Sequence, residues 1–99
     1  MEDNETQAQA ELKERVLALV YEEGGIKPVH GHQHLAAIHK RTNVGIVVVD
    51  GTFTREIYKQ AMAEMKAAGA NASRMYVYAR LGTYSGRGIC FCKFEEIGL

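Results

Sequence analysis

The sequence lacks several features that would assign it to a familiar class of protein. Its 99 residues contain no apolar run approaching the roughly 18 residues that a membrane-spanning helix needs. It has no P-loop, no Gly-x-Gly-x-x-Gly fingerprint, no Cys-x-x-Cys pair, and no serine or cysteine nucleophile with an evident histidine partner. The acidic stretch from Met1 to Gln7 is unlike a secretory signal or a transit peptide. We therefore expect a cytoplasmic chain with no membrane partner.

Cysteine and proline are scarce. The two cysteines, Cys90 and Cys92, lie two positions apart on a predicted strand, where a disulfide between them would be strained. We therefore predict free thiols, as is usual in a reducing compartment. The single proline, Pro28, fixes its own φ angle and disfavours helix at the preceding residue, so residues 26–29 are predicted to be extended.

The formal net charge is zero, but the charges are unevenly distributed. Residues 1–25 carry seven acidic and two basic side chains, a net charge of −5, whereas residues 26–99 carry five acidic and ten basic ones, a net charge of +5. An acidic first helix and a basic body are compatible with an anionic partner for the body. The alternative is an ordinary surface of solvated charges, since the basic excess is small beside that of dedicated nucleic-acid modules.

The most informative segment runs from Val44 to Tyr58. Residues 46–49 are all apolar and leave no polar face, which indicates a strand buried on both sides. Thr54 suits the N-cap of a following helix over residues 55–68. Ligand sites of α/β proteins commonly lie at such a junction, where a strand ends and a helix begins.

The remaining pattern predicts a single α/β (or α+β) domain over residues 7–99, after a disordered N-terminus at residues 1–6. We expect a small mixed sheet of three or four strands with two or three helices. The strand–helix–strand step over residues 44–79 should form a right-handed βαβ unit with parallel strands. Strands at residues 75–79 and 88–94 should then form a C-terminal hairpin.

Two further segments precede the βαβ unit. Leucines and valines at helical spacing predict a helix over residues 8–21, which the glycine pair at 24–25 ends. Residues 32–41 are ambiguous. Their Leu-Ala-Ala-Ile sequence favours a short helix that ends at Asn43 in the left-handed conformation, and the alternative is a strand that turns at the same asparagine. We predict the helix.

Two groups of residues could hold a metal or a small ligand. On an extended segment, His30, His32 and His34 would all project to one side, and imidazoles are common zinc ligands. Their spacing matches no standard structural zinc site, so the alternative is surface or capping histidines and no cofactor. Asp50 and Thr52 end the central strand and are candidate ligand-site residues, unless Asp50 serves only to form the turn.

The predicted loop between the last two strands could contact nucleic acid. Its glycines expose backbone amides, Arg87 offers a guanidinium fork to phosphate, and Tyr84 could stack on a base. The alternative is a hairpin loop with an ordinary solvated arginine. The candidate nucleic-acid-binding residues are Arg74, Arg80, Tyr84, Arg87, Lys40 and Arg41.

The sequence Gly-Ile-Val-Val-Val-Asp-Gly-Thr-Phe-Thr-Arg-Glu-Ile, residues 45–57, resembles the strand and helix that follow the catalytic elements of Mrr-like restriction endonuclease domains. That family's active site has an acid and then a Glu/Gln-x-Lys strand upstream of this segment. The nearest match here is Ile38-His39-Lys40, and no acidic residue lies between Gly24 and Lys40. The resemblance therefore carries over at most Lys40, and it implies a relative without the nuclease motif.

Together these features predict a small non-catalytic module that contacts nucleic acid or a nucleic-acid-processing enzyme, as part of a restriction–modification or DNA repair system. One alternative is a protein-interaction or homo-oligomerisation domain, in which the acidic helix packs on a second copy or the strand near residues 89–94 pairs as a sheet edge. The other is a metal-binding protein or hydrolase that uses Asp50 with the histidines at positions 30–39.

Overall fold

The computed structural model describes residues 5–99, which form a five-stranded mixed sheet with a helix on each face. The strand order is the same in the sheet as in the chain, with antiparallel pairing among the first three strands and parallel pairing among the last three. In chain order the elements are α1 (Gln7–Val20), β1 (Ile26–Pro28), β2 (Leu35–His39), β3 (Val44–Phe53), α2 (Arg55–Ala67), β4 (Asn71–Gly82) and β5 (Ile89–Lys93).

Both helices begin at side-chain caps. The Thr6 hydroxyl accepts from the Gln9 amide at 3.1 Å, and the Gln9 side chain accepts from the Thr6 amide at 2.8 Å, which completes a capping box at α1. Thr54 caps α2 as predicted, accepting from the Ile57 amide at 3.3 Å. Residues 1–4 of the predicted disordered terminus lie outside the described residues. No helix among residues 5–99 is both long and apolar enough to cross a membrane.

The prediction of a strand buried on both sides is confirmed for β3. Alternate side chains of a strand point to opposite faces of the sheet. Ile46 and Val48 pack under α1, while Val47 and Val49 pack under α2 together with Phe53. The sheet therefore has a hydrophobic core on each side, and β3 contributes to both.

The predicted βαβ unit is also confirmed, because β3 and β4 are parallel and α2 connects them. The predicted strand count was too low, and the helix predicted within residues 32–41 was wrong. Those residues contain β2, which pairs with β1 on one side and with β3 on the other. Hydrogen bonding on both edges, with small Ala36 and Ala37 buried beneath α1, outweighs the helix propensity of the Leu-Ala-Ala-Ile sequence. Asn43 does adopt the predicted left-handed conformation, with φ 58°.

The predicted C-terminal hairpin was wrong as well, because β5 is parallel to β4. After Gly82 the chain returns alongside β4, so that Ile89 lies opposite Met75. The return ends in a turn over residues 86–89, in which the Ile89 amide donates to the Gly86 carbonyl oxygen at 3.2 Å. Gly88 lies in this turn, and its φ of +85° and its closeness to the Ser73 carbonyl oxygen leave no room for a side chain.

Candidate functional site

The carboxyl end of β3 forms one candidate site. It opens into a crevice of about 200 Å³ beside the N-terminal half of α1. Lys13 and His34 are buried polar residues, 4% and 6% exposed. Both line this crevice, together with Asp50, Thr52, Gln9 and Gln33. Crevices at the carboxyl ends of strands are common ligand sites in α/β proteins.

Lys13 is a part of this crevice that the sequence pattern did not indicate. Its ammonium donates to a Glu5 carboxylate oxygen and to the His32 carbonyl oxygen, both at 2.5 Å. These two acceptors compensate for removing the charge from water. Lys13 also lines a second cavity, of about 410 Å³, between α1 and residues 28–30. Lys13 therefore joins α1, the chain before it and the loop that precedes β2.

Asp50 and Arg80 form an ion pair across the ends of two parallel strands. The Arg80 Nε donates to Asp50 Oδ1 at 2.8 Å, and the Arg80 guanidinium lies 5.4 Å from the centre of the Phe94 ring. Both side chains remain more than half exposed, so the pair contributes at most about 1 kcal/mol to stability. Asp50 was predicted as a ligand-site residue and Arg80 as a nucleic-acid-binding residue, and in the structure the two form an ion pair with each other.

The predicted histidine cluster is dispersed. His30 is exposed, with its Nδ1 4.0 Å from a Glu5 oxygen, whereas the buried His34 ring has its Nε2 2.8 Å from Gln60 Oε1. His39 lies at the end of β2, with its Nδ1 3.3 Å from the Thr42 hydroxyl. Within residues 5–99 no three His, Cys, Asp or Glu side chains are grouped to hold a metal. Zinc binding remains an untested prediction.

Glu64 of α2 holds the start of β2 in place. Its carboxylate accepts from three consecutive backbone amides, those of Gln33 at 3.0 Å, His34 at 3.1 Å and Leu35 at 2.9 Å. A carboxylate satisfies such a row of amides with charge-assisted hydrogen bonds. Since His34 lines the crevice, Glu64 also positions one wall of it.

The six predicted nucleic-acid-binding residues are not grouped at one place. Lys40 and Arg41 lie in the turn between β2 and β3, at the start of β3, whereas Arg80 lies beside the end of β3. The five steps from Val44 to Val49 separate these two ends by about 17 Å. Arg74 is exposed near the start of β4, and Arg87 is exposed on the return segment before β5.

The Tyr84 ring is packed against the α2 side of the sheet. Its centre lies 5.1 Å from that of Tyr58 and 6.3 Å from that of Phe53. The loop is fixed further by the Thr83 amide, which donates to the Phe53 carbonyl oxygen at 3.0 Å. The ring therefore holds the return segment beside α2 at Tyr84.

A row of cations on α2 was missed by the sequence analysis. Arg55, Lys59 and Lys66 are exposed, and none of them takes part in an ion pair within residues 5–99. At 3.6 residues per turn these three positions fall within an arc of about 40°. Tyr58 lies about 60° to one side of Arg55 on the same helix, so the return segment contacts α2 beside the row at Tyr84. The spacing of four and seven residues was the signal that could have identified it.

The opposite face of the sheet is acidic. Along α1 and the turn after it, the exposed charged side chains are Arg15 and four glutamates, Glu11, Glu14, Glu22 and Glu23. Because α1 and α2 cover opposite faces, the charge asymmetry of the sequence becomes two faces of opposite sign. The charges on the α2 face suit a polyanion better than those on the α1 face.

The groups whose pKa departs from its ordinary value lie away from both candidate sites. Tyr21 and Tyr78 have hydroxyl oxygens 2.8 Å apart beneath α1. Burial raises the pKa of both hydroxyls, and the hydrogen bond to Tyr78 raises the pKa of Tyr21 further. At the C-terminal end, burial raises the pKa of the Cys92 thiol, and the hydrogen bond from the Lys93 amide lowers the pKa of the Glu96 carboxyl.

The comparisons with protein families, with curated proteins and with solved structures found no match to this chain.

Proposed function

We propose that this chain is a small non-catalytic module that contacts the phosphate backbone of nucleic acid through the outer face of α2. The observation that carries the proposal is the row of Arg55, Lys59 and Lys66. The three side chains project from one rigid helix, so the backbone loses little conformational entropy on binding. The acidic α1 face would then point away from the polyanion.

The dimensions of the row suit a duplex. Arg55 and Lys66 are eleven positions apart on α2, which corresponds to about 16 Å along the helix axis. Double-stranded DNA carries one negative charge per roughly 1.7 Å of its own axis, so about nine phosphate charges lie within this length. Long, flexible lysine and arginine side chains can reach phosphates on either side of the helix. Contacts of this kind give affinity with little sequence preference.

Two observations support a non-catalytic role. Asp50 is paired with Arg80, and in the crevice beside it the His34 ring is hydrogen-bonded to Gln60 while Lys13 is bonded to Glu5 and to the His32 carbonyl oxygen. Lys40, which the Mrr-like resemblance carries over, lies in the turn at the other end of β3. That resemblance nevertheless suggests the setting, a restriction–modification or DNA repair system. The free thiols of Cys90 and Cys92 suit the cytoplasm.

The test is a salt titration of DNA binding by fluorescence anisotropy. The native chain should bind a short duplex at about 50 mM salt and weaken steeply by about 200 mM. In a variant with Arg55, Lys59 and Lys66 all changed to Ala, the plot of log K against log salt should be shallower by about 2.7, because each phosphate contact contributes about −0.9 to its slope. A single-stranded probe in parallel distinguishes the preferred form of nucleic acid.

The matched control removes cations from elsewhere on the surface. Arg15 on α1 and Lys27 on β1 are exposed, and changing both to Ala should leave the slope within about 0.9 of the native value. Circular dichroism confirms that each variant is folded. Absence of binding at low salt would refute the proposal. Equal slopes for the native chain and the triple variant would refute the assignment to α2.

Self-association is a second candidate function, and the exposed edge of β5 favours it. This strand ends the sheet, and no other part of residues 5–99 pairs with its outer side. A sheet edge without cover is a template for pairing with another chain.

A further inference from the structure

The crevice at the carboxyl end of β3 contains a hydrogen-bond acceptor that the fold leaves unused. The buried His34 side chain lines this crevice. Its Nε2 lies 2.8 Å from Gln60 Oε1, which can only accept a hydrogen bond, so Nε2 carries the proton of the neutral ring. Nδ1 is then an acceptor, and no atom of residues 5–99 donates to it.

The free Nδ1 atom of His34 keeps contact with open space. Within residues 5–99 no side-chain nitrogen or oxygen atom is both fully buried and without a hydrogen-bond partner. Since Nδ1 has no partner, it is not sealed in the core, and the crevice is the open space that His34 lines. A buried ring with an accessible acceptor requires an explanation, and a donor from a bound molecule supplies one.

The crevice exists because β3 is longer than the strand beside it. The Val48 amide donates to the His34 carbonyl oxygen at 3.0 Å, and beyond this bond β3 continues to Phe53 without β2 alongside. The uncovered part of β3 lines the crevice, together with Leu12 of α1 and Ile57 of α2. Pockets for drug-sized ligands span about 300 to 1,000 Å³, so this one has room only for a smaller molecule.

The charges around the crevice are already compensated. The Lys13 ammonium is paired with the Glu5 carboxylate, and the Asp50 carboxylate is paired with Arg80. An ionic ligand would have to compete with one of these partners and would bring an uncompensated charge close to buried groups. The lining therefore favours an uncharged ligand.

The remaining polar groups of the lining suit hydroxyls. The Thr52 hydroxyl and the Gln33 side-chain amide line the crevice and make no hydrogen bond within residues 5–99. Both can donate and accept, whereas His34 Nδ1 only accepts. A hydroxyl group also donates and accepts, so neighbouring hydroxyls of one molecule match all three groups. The C–H groups between them would cover the apolar side chains of Leu12 and Ile57.

We propose that this crevice binds a small uncharged molecule of about pentose size, one of whose hydroxyl groups donates to His34 Nδ1. Gln60 does not line the crevice and acts as a positioning residue, because it keeps the ring proton on Nε2. This site is separate from the cations on the outer face of α2. Binding there goes beyond the proposed contact with nucleic acid and does not depend on it.

The test titrates D-xylose into isotope-labelled protein and follows binding by NMR. Before addition, the ring nitrogen spectrum of His34 should show the proton on Nε2. Xylose should shift the Nδ1 resonance and the amides of residues 49–52 saturably, with a dissociation constant in the millimolar range. Tetrahydropyran, which has the same ring without hydroxyl groups, is the matched control. No shift at about 100 mM xylose, or an equal Nδ1 shift with tetrahydropyran or acetate, would overturn the proposal.

Two variants test the polar contacts at positions that are not fully buried. Thr52→Val removes the hydroxyl and keeps the shape, so it should weaken xylose binding by about 2- to 10-fold, the effect of one hydrogen bond. Gln60→Ala should spread the His34 proton over both ring nitrogens and also weaken binding. Gln7→Ala, at an exposed glutamine outside the crevice, should change neither property. Unchanged xylose affinity in either of the first two variants would overturn the proposal. Both variants keep the cations of α2, so this proposal and DNA binding fail independently.

Discussion

Replacing Glu64 tests how the start of β2, and with it one wall of the crevice, is held. Its carboxylate accepts from three backbone amides, two of them on the buried residues His34 and Leu35. Hydrogen bonds to charged acceptors contribute about 1.5 to 3 kcal/mol each, and water can replace the carboxylate only at exposed Gln33. With partial relaxation of the loop, we expect Glu64→Ala to lower the free energy of unfolding by about 2 to 4 kcal/mol.

Urea unfolding followed by far-ultraviolet circular dichroism measures this loss. At a typical slope of about 2 kcal/mol per molar, the midpoint should fall by about 1 to 2 M with the slope unchanged. Glu64→Gln keeps one acceptor oxygen and should lose about half as much. Glu56, exposed in the first turn of the same helix, is the matched control, and Glu56→Gln should cost below about 1 kcal/mol. Equal midpoints for Glu64→Ala and Glu56→Gln would refute the reasoning.

Three further predictions concern packing, titration and capping. Gly45→Ala would place its Cβ 2.7 Å from Met65 Cγ, so we expect a loss of about 1 to 3 kcal/mol by thermal unfolding, and an unchanged midpoint would contradict this. Because burial raises the pKa of Tyr21 and Tyr78 above the value in the unfolded chain, stability should be full below about pH 10 and fall as pH rises further. Absorbance at the tyrosinate band should show these two phenols titrating after the others, and simultaneous titration of all five tyrosines would oppose it. Thr54→Ala should cost about 1 kcal/mol in urea unfolding, and a loss below that of Glu56→Gln would count against the cap.

Local signals were enough to predict the centre of the fold. The apolar run of β3 has no polar face, and Thr54 stands directly before α2, so the strand, the helix and the parallel return of β4 all followed from the pattern. The errors arose where distant contacts decide the conformation. Nothing within Leu35–His39 shows that β1 and β3 bond to both of its edges, and nothing near Tyr84 shows that Tyr58 holds its loop on one face.

The candidate sites were predictable only in part. Asp50 was identified from its place at the end of β3, but its partner Arg80 is thirty residues away and belongs to another strand. Nothing in the helical pattern distinguishes Lys13 from the other charged residues of α1, because its two acceptors come from outside that helix. The cation row on α2 was visible in the spacing of Arg55, Lys59 and Lys66, but only the structure shows that α2 lies on the sheet face opposite the acidic α1.

The turn before β5 sets the register of the last two strands. The Ile89 amide donates to the Gly86 carbonyl oxygen, and the Met75 amide donates to the Gly88 carbonyl oxygen, so the turn and the parallel ladder meet at the same two residues. A side chain at position 88 would meet the Ser73 carbonyl oxygen at 2.5 Å and would push the two strands apart at this point. A strand that slides by one position turns every side chain over, which would send Cys90 and Cys92 towards α2 and Phe91 towards α1. The glycine before β5 therefore decides which face of the sheet each side chain of this strand occupies.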